Sequence, residues 1–175
     1  MAFSSTLPTR TDLPYTAYNI DWAVGSIGSN IREDVMLVQA LLRIFYYESS
    51  VAQPPPESTG PITVDGRCGP ITRAHIVHFQ RLAAEKGYPV HQDGAFDPYR
   101  AGGQVSTLTK SRYSMELLNN GCYSADKRNS TRFHKDLPIR DDIPVTLRSA
   151  LKTHKQTAKQ YSYAPTQTVP ATGGA

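Results

Sequence analysis

The sequence predicts a mainly helical domain with short β-strands, and three observations carry this prediction. Apolar residues recur at spacings of three and four in segments that begin near residues 30, 70 and 111, which is the period of an amphipathic helix. The segment 18–24 alternates apolar and polar residues with the period of two that is typical of a half-buried strand. The 13 Pro and 12 Gly residues supply turns and linkers between these segments.

The first two helices have recognisable ends. Asn30 and Glu33 have the spacing of a capping box, so the first helix is expected to begin after Asn30. The second is expected to begin at Pro70 and to end at Gly87, because Pro is tolerated in a first helical turn and Gly is a common stop. The predicted inward faces are Val35, Val38, Leu42 and Phe45 in the first helix and Thr72, Ile76, Phe79 and Ala83 in the second.

Two further helices are expected in the second half of the chain. Residues 111–121 predict a shorter helix that is closed by Gly121, with Tyr113, Leu117 and Leu118 facing inward. A fourth helix is expected from Pro144 to about Lys159, where Leu147 and Leu151 form an apolar pair.

Charge divides the chain unevenly. Residues 1–126 carry 10 basic and 12 acidic side chains, whereas residues 127–175 carry 9 basic and 3 acidic ones, a net charge of +6. Such a basic segment either attracts an anionic partner or is a solvated surface. The sequence therefore predicts four parts: an extended, loosely packed N-terminal arm (1–18), a central domain (19–126), a basic extension with a helix (127–160) and a flexible tail (161–175).

Neither a membrane span nor secretion is predicted. No run approaches the roughly 20 apolar residues that a spanning helix needs, and the opening MAFSSTLPTR lacks the apolar centre of a signal peptide. The protein is expected to be made in the cytoplasm and, if it acts elsewhere, to be delivered or displayed as part of an assembly.

The sequence predicts no enzyme, cofactor or metal site. His75 and His78 form an H-x-x-H pair, but a catalytic zinc usually takes a third protein ligand, and no H-E-x-x-H motif occurs. Cys68 is expected to be a small apolar group, because nothing in the sequence places a histidine beside it. No motif singles out two catalytic carboxylates, although a small hydrolase stays an open alternative.

Two Asp-Gly pairs form a weak internal repeat. Asp65-Gly66 and Asp93-Gly94 are 28 residues apart, and each predicts a turn in which Asp accepts backbone N–H groups and Gly adopts a positive φ. A short strand is expected just before the first turn. Gln39 and Gln80 are expected to bond backbone at the edge of the core and thus to determine the fold.

These motifs resemble the peptidoglycan-binding-like domain, a small three-helix module often fused to cell-wall hydrolases. The resemblance covers residues 30–121. The matching residues are Val35, Val38, Gln39 and Leu42, then Asp65, Gly66, Gly69, Pro70 and Thr72, then Ile76, Phe79 and Gln80, and finally Asp93 and Gly94.

The resemblance implies a non-catalytic protein that binds peptidoglycan or directs a larger assembly to the cell wall. Aromatic faces, amides and cations suit sugar-peptide ligands. The candidate ligand residues, on or near the loops around the second turn, are Arg67, Tyr88, Tyr99, Arg100, Arg112 and Tyr113. The alternative is a structural or adaptor subunit of a phage particle or secretion apparatus, which binds proteins through its arm and tail. A nucleic acid is not an expected partner.

Overall fold

Helices form most of the regular structure in the computed structural model, which describes residues 1–7, 15–99 and 111–155. The α-helices within these ranges are α1 (Arg32–Arg43), α2 (Pro70–Glu85), α3 (Ser114–Asn129) and α4 (Val145–Leu151). A π-helical turn (Ile44–Glu48) continues α1, and a 3-10 turn (Leu137–Ile139) precedes α4. The predicted class, mainly helical with short strands, is confirmed.

The strands form two small antiparallel pairs. β1 (Phe3–Leu7) pairs with β2 (Tyr15–Asn19), with Phe3 opposite Asn19 and Leu7 opposite Tyr15. β3 (Val24–Gly25) pairs with β4 (Ala95–Phe96) and so joins the segment before α1 to the segment after α2. The strand predicted at 18–24 is therefore only partly correct, because it ends at Asn19 and resumes at Val24.

The N-terminal segment is not a loosely packed arm in its described part. Ala2 is fully buried and Leu7 is 2% exposed. The N–H of Ser4 donates to the Thr153 carbonyl at 2.9 Å, and the N–H of Lys155 donates to the Ser4 carbonyl at 3.0 Å. The prediction missed this packing because its partners lie about 150 residues away in the chain.

The helix α1 begins at Arg32, one residue later than predicted. Asn30 is not its cap, because Asn30 has a φ of +52° and its amide side chain binds the preceding loop. That side chain accepts the Gly25 N–H at 2.8 Å and donates to the Gly28 carbonyl at 2.9 Å. The predicted inward face of α1 is confirmed as buried.

The helix α2 matches its prediction closely. Pro70 is its first residue, its predicted inward face is buried, and Gly87 follows it with a φ of +83°. The strand expected just before the first Asp-Gly turn does not form among the described residues. Ile62 and Val64 are nevertheless buried there, so burial of apolar side chains alone does not make a strand.

The helix α3 does not end at Gly121. It continues to Asn129 and ends at Ser130, which has a φ of +54°. Gly121 serves a close approach instead, because a Cβ there would lie 2.8 Å from the Phe45 ring. The glycine therefore allows the π-helical turn to pack against α3.

The C-terminal segment is part of the core. The boundary predicted between residues 126 and 127 falls inside α3, and the Asp126 carboxylate accepts the backbone N–H groups of Phe133 and His134 at 3.0 and 2.9 Å. Arg140 forms two bonds with Glu48, at 2.6 and 2.8 Å. The buried apolar side chains of the segment are Leu137, Ile143, Leu147 and Leu151. The fourth helix was predicted to run to about Lys159, but it ends at Leu151, and His154 forms an isolated β-bridge with Ser4 instead. Residues 156–159 of the predicted helix and the predicted tail (161–175) lie outside the described residues.

Candidate functional site

Each Asp-Gly turn is held by a buried glutamine from the preceding helix. The Gln39 side-chain oxygen accepts the N–H groups of Asp65 and Gly66 at 3.1 and 2.9 Å, and its amide donates to the Asp65 carboxylate at 2.9 Å. Asp65 in turn accepts the Arg67 N–H at 2.9 Å. A single side chain, Gln39, thus holds the first turn, because it bonds the backbone of both turn residues and the aspartate side chain.

The second turn repeats this arrangement. The Gln80 side-chain oxygen accepts the Gly94 N–H at 2.9 Å, and its amide donates to the Asp93 carboxylate at 3.1 Å. Asp93 accepts the Ala95 N–H at 3.0 Å. Gly66 and Gly94 have φ values of +76° and +72°. Both predicted turns are present, and both glutamines bond backbone as expected.

A cavity of about 360 Å³ lies between the second half of α2 and the helix α3. It is called the main cavity below because Tyr88 and Arg112 of the predicted ligand set line it, although cavities of about 480 and 540 Å³ lie elsewhere on the surface. Its floor is apolar and is formed by Phe45, Val51, Phe79, Leu82, Ala83, Leu117 and Gly121. Its polar edge is formed by Lys86, Tyr88, Arg112, Asn120, Ser124 and Arg128. An apolar floor with a few polar groups is the usual composition of a ligand site.

Aromatic packing shapes the floor of the main cavity. The rings of Phe45 and Phe79 meet edge to face, with centroids 5.2 Å apart and planes at 78°. Phe79 also meets Phe96 edge to face at 5.5 Å. Because Gly121 has no side chain, the Phe45 ring can lie directly against α3. The cavity floor therefore depends on the π-helical turn, on α2 and on α3 together.

Three cations border the main cavity. Lys86 and Arg128 are exposed and have no ion-pair partner among the described residues. Arg112 binds both oxygens of Glu116 at 2.6 and 2.8 Å, and its guanidinium lies 5.3 Å from the centre of the Tyr88 ring. The Nε atom of Arg112 is buried and has no hydrogen-bond partner within the part of the chain that the structure describes.

Glu116 is the anion that accompanies these cations. It is 1% exposed. Burial raises the pKa of the Glu116 carboxyl, and the Arg112 guanidinium beside it opposes that rise. Since Arg112 and Glu116 largely neutralise each other, the excess positive charge of the main cavity comes from Lys86 and Arg128.

Two further cavities border the two turns. One of about 290 Å³ lies beside the second turn and is lined by Asp93, Arg112 and Tyr113, among others. The other, of about 480 Å³, lies beside the first turn and is lined by Asp65 and Arg67, among others. Arg112 borders both the main cavity and the cavity at the second turn, so these two are neighbours.

The structure brings together part of the predicted ligand set. Tyr88 and Arg112 line the main cavity, Tyr113 lines the cavity beside the second turn, and Arg67 lines the separate cavity beside the first turn. Arg100 lies outside the described residues.

The prediction that Tyr99 faces a ligand is wrong. Tyr99 is 1% exposed, its hydroxyl bonds the Ser5 hydroxyl, and its N–H donates to the Asn19 side chain at 3.2 Å. Burial of the phenol raises its pKa above the usual range. Tyr99 anchors the segment after β4 to the β1–β2 pair, a contact across about 80 residues that local sequence does not reveal.

Lys86, Arg128 and the aromatic floor were not predicted as site residues. Lys86 had a weak signal in the sequence, because it lies between the end of α2 and Tyr88. Arg128 belongs to the basic segment that was expected either to attract an anionic partner or to be a solvated surface, but the predicted third helix stopped at Gly121 and did not place Arg128 beside Arg112. Phe45 was assigned to the core, which is correct, but part of its ring also faces the cavity.

Each histidine of the H-x-x-H pair forms a hydrogen bond with a tyrosine hydroxyl. The Tyr47 hydroxyl lies 2.9 Å from Nε2 of His75, whose Nδ1 donates to the Ile71 carbonyl at 2.8 Å. The Tyr46 hydroxyl lies 2.9 Å from Nδ1 of His78. Burial lowers the pKa of both histidines, so they are held neutral within the helix packing. Within residues 1–7, 15–99 and 111–155, no three potential metal ligands group together.

Comparisons with family models, with curated proteins and with solved structures find no match for this chain. In the described ranges, no helix has the length and apolar character that crossing a membrane requires.

Proposed function

We propose that this protein is a three-helix peptidoglycan-binding-like module that binds peptidoglycan without cleaving it, or directs a larger assembly to the cell wall. One observation carries the proposal. The main cavity unites two predicted ligand residues, Tyr88 and Arg112, with two cations, Lys86 and Arg128, over an apolar floor. Neither of these two cations has an ion-pair partner in the part of the chain that the structure describes. Such a surface suits a ligand that combines apolar groups with carboxylates, as the peptide-bearing sugar polymer of the cell wall does.

The size of the main cavity supports modest affinity. Ligand pockets commonly enclose about 300 to 1,000 Å³, so a cavity of about 360 Å³ takes only a small part of a polymer. Binding energy would come from a few contacts that are repeated along the cell wall. A protein with many copies in an assembly would gain from such repetition, because each further contact is effectively intramolecular.

Sedimentation with purified murein sacculi tests the proposal. The variant Lys86→Ala/Arg128→Ala should lose most binding at physiological salt. The control Arg73→Ala/Lys152→Ala removes the same types of charge from exposed positions that line no cavity named here, and should bind like the parent. Equal binding by the two variants would contradict the assignment of the main cavity. Release of soluble muropeptides by the parent would contradict non-catalytic binding and favour a hydrolase.

A structural or adaptor role is the second candidate. It is favoured by two apolar side chains on the loops that flank β3, since Trp22 is 58% exposed and Ile27 is 78% exposed. Exposed aromatic residues are enriched at protein interfaces. A folded protein that fails to sediment with sacculi, and that loses association with its assembly in the variant Trp22→Ser/Ile27→Ser, would favour this role over peptidoglycan binding.

A further inference from the structure

We infer that the main cavity binds the free C-terminal carboxylate of a short peptide with small apolar side chains, in preference to a sugar ring. The inference rests on the proposed function, because the peptide stems of murein are the proposed source of such ends. It assigns to the cavity one chemical part of the ligand, and this assignment can fail while peptidoglycan binding itself holds.

The first argument is the scarcity of uncommitted hydrogen-bonding groups in the cavity wall. The Asn120 side-chain oxygen accepts the Tyr15 hydroxyl, and its amide donates to Glu116. Ser124 and Tyr88 are the other uncharged polar side chains that line the cavity. A sugar ring carries several hydroxyls, and each one that is buried without a partner weakens binding. An apolar floor with two free hydroxyls therefore suits a small apolar peptide side chain better than a sugar ring.

The second argument is the positive charge that two different helices bring to the edge of the cavity. Lys86 follows the last residue of α2, and Arg128 lies in the last turn of α3. Neither has an ion-pair partner among the described residues, and the buried Nε of Arg112 is a further donor without an acceptor there. A carboxylate accepts several charge-assisted hydrogen bonds, which are roughly twice as strong as neutral ones. One anionic group with an apolar neighbour would use both features of the cavity.

Calorimetric titration of the full chain with four probes tests this inference. The probes are acetyl-trialanine with a free carboxylate, the same peptide with a C-terminal amide, octanoate and the disaccharide of N-acetylglucosamine. The free acid should bind at least tenfold more tightly than the amide, which loses the charge but keeps the apolar groups. Equal binding of acid and amide, or tighter binding of the disaccharide, would overturn the inference. Tighter binding of octanoate than of the peptide would assign the cavity to free amphipathic acids instead.

Three variants locate the effect. Arg128→Gln should weaken binding of the peptide acid several-fold and reduce the difference between acid and amide. The exposed and matched control Arg73→Gln should leave both unchanged. Ser124→Ala should weaken binding of a sugar ligand, which would lose one of the two free hydroxyl partners, more than it weakens binding of the peptide acid. An unchanged preference for the acid in Arg128→Gln would overturn the placement in this cavity. Circular dichroism confirms that each variant is folded.

Sacculi whose peptides have been removed by an amidase separate this inference from the proposed function. Binding to intact sacculi but not to the stripped glycan is the expected result. Equal binding to both would overturn the inference and leave peptidoglycan binding standing. Binding of the free peptide acid without binding to either material would instead overturn the proposed function and leave the carboxylate site standing.

Discussion

The two Asp-Gly turns are built alike and lie in different surroundings. In each, a buried glutamine, Gln39 or Gln80, accepts backbone N–H groups of the turn and donates to its aspartate. The first turn leads directly into α2, and Thr72 in that helix also accepts the Gln39 amide, at 3.1 Å. The second leads into β4. The same local pattern thus gives the same bend, while the following segment decides what the bend contacts.

The segments that follow the two turns differ, and this explains why the second turn is nearer to the candidate site. The Gly94 carbonyl accepts the Ser26 N–H at 3.0 Å, which holds the loop before α1 against the turn. Arg112 and Tyr113 close the cavity on the other side. The first turn has only Arg67 from the predicted ligand set beside it. A sequence motif therefore predicts a turn but not whether a ligand site adjoins it.

The largest expected effect comes from the residue before each glutamine. Phe79→Ala should destabilise the protein by roughly 3 to 5 kcal/mol, the range for a large aromatic removed from a core, because Phe79 is 4% exposed and contacts two other rings. Val38→Ala, the counterpart beside the first turn, should cost only about 1.5 to 3 kcal/mol, since fewer buried atoms are removed. Urea unfolding measures the loss of stability in both variants, and thermal unfolding gives their melting temperatures. A melting temperature of Phe79→Ala within a degree or two of the parent would show that the inward face of α2 is wrong.

The next effect compares the two glutamines. Gln39→Ala leaves the N–H groups of Asp65 and Gly66 without their acceptor, whereas Gln80→Ala removes the acceptor of Gly94 only. Each substitution should cost about 1 to 3 kcal/mol in the free energy of unfolding, with the larger loss at Gln39. Chemical denaturation of the two variants side by side checks the order. A larger loss at Gln80 would mean that the pairing of β4, not the count of hydrogen bonds, governs the stability of these turns.

A smaller effect is expected at the two turn glycines. Both have a positive φ, so Gly66→Ala and Gly94→Ala should each cost about 1 to 2 kcal/mol. Gly66→Ala should cost more, because its Cβ would lie 2.6 Å from Cγ of Arg32 and 3.0 Å from the Arg32 carbonyl. At Gly94 the nearest atom is the Ser26 hydroxyl oxygen, at 2.9 Å, which can rotate away. If thermal unfolding shows a larger loss of stability for Gly94→Ala than for Gly66→Ala, contact with Arg32 is not the cause of the difference.

The smallest effect is the acid dependence of the first turn. Partial burial acts to raise the pKa of the Asp65 carboxyl, but hydrogen bonds from the Arg67 N–H and the Gln39 amide hold that pKa below its usual value of 3.8. The folded state therefore binds its proton less readily than the unfolded state. The stabilisation is present above pH 3.8 and is lost as the pH falls through the lower folded-state value.

The variant Asp65→Asn measures this acid dependence. Its denaturation midpoint should fall less steeply below pH 4 than that of the parent. Near neutral pH, the midpoints of the two proteins should depend on pH in the same way. Because Asp65 is exposed, the expected change is small. A decline of the same steepness in both proteins would show that Asp65 does not stabilise the fold as a charged acceptor.

Features that depend on neighbours a few residues away could be predicted from the amino-acid sequence. The inward faces of α1 and α2, Pro70 at the start of α2 and both Asp-Gly turns follow from helical spacing, fixed proline φ and the freedom of glycine, and all were predicted correctly. The part of the candidate site that could be predicted, Tyr88, Arg112 and Tyr113, lies beside these local features.

Other features of the fold and of the candidate site depend on long-range contacts. Tyr99 is buried against Ser5, Gly121 admits the Phe45 ring instead of ending a helix, and α4 packs its Leu147 and Leu151 into the core. Arg128 reaches the main cavity only because α3 continues past Gly121. These outcomes depend on contacts between residues far apart in the chain, and the local sequence does not show which distant residues meet when apolar surface is buried.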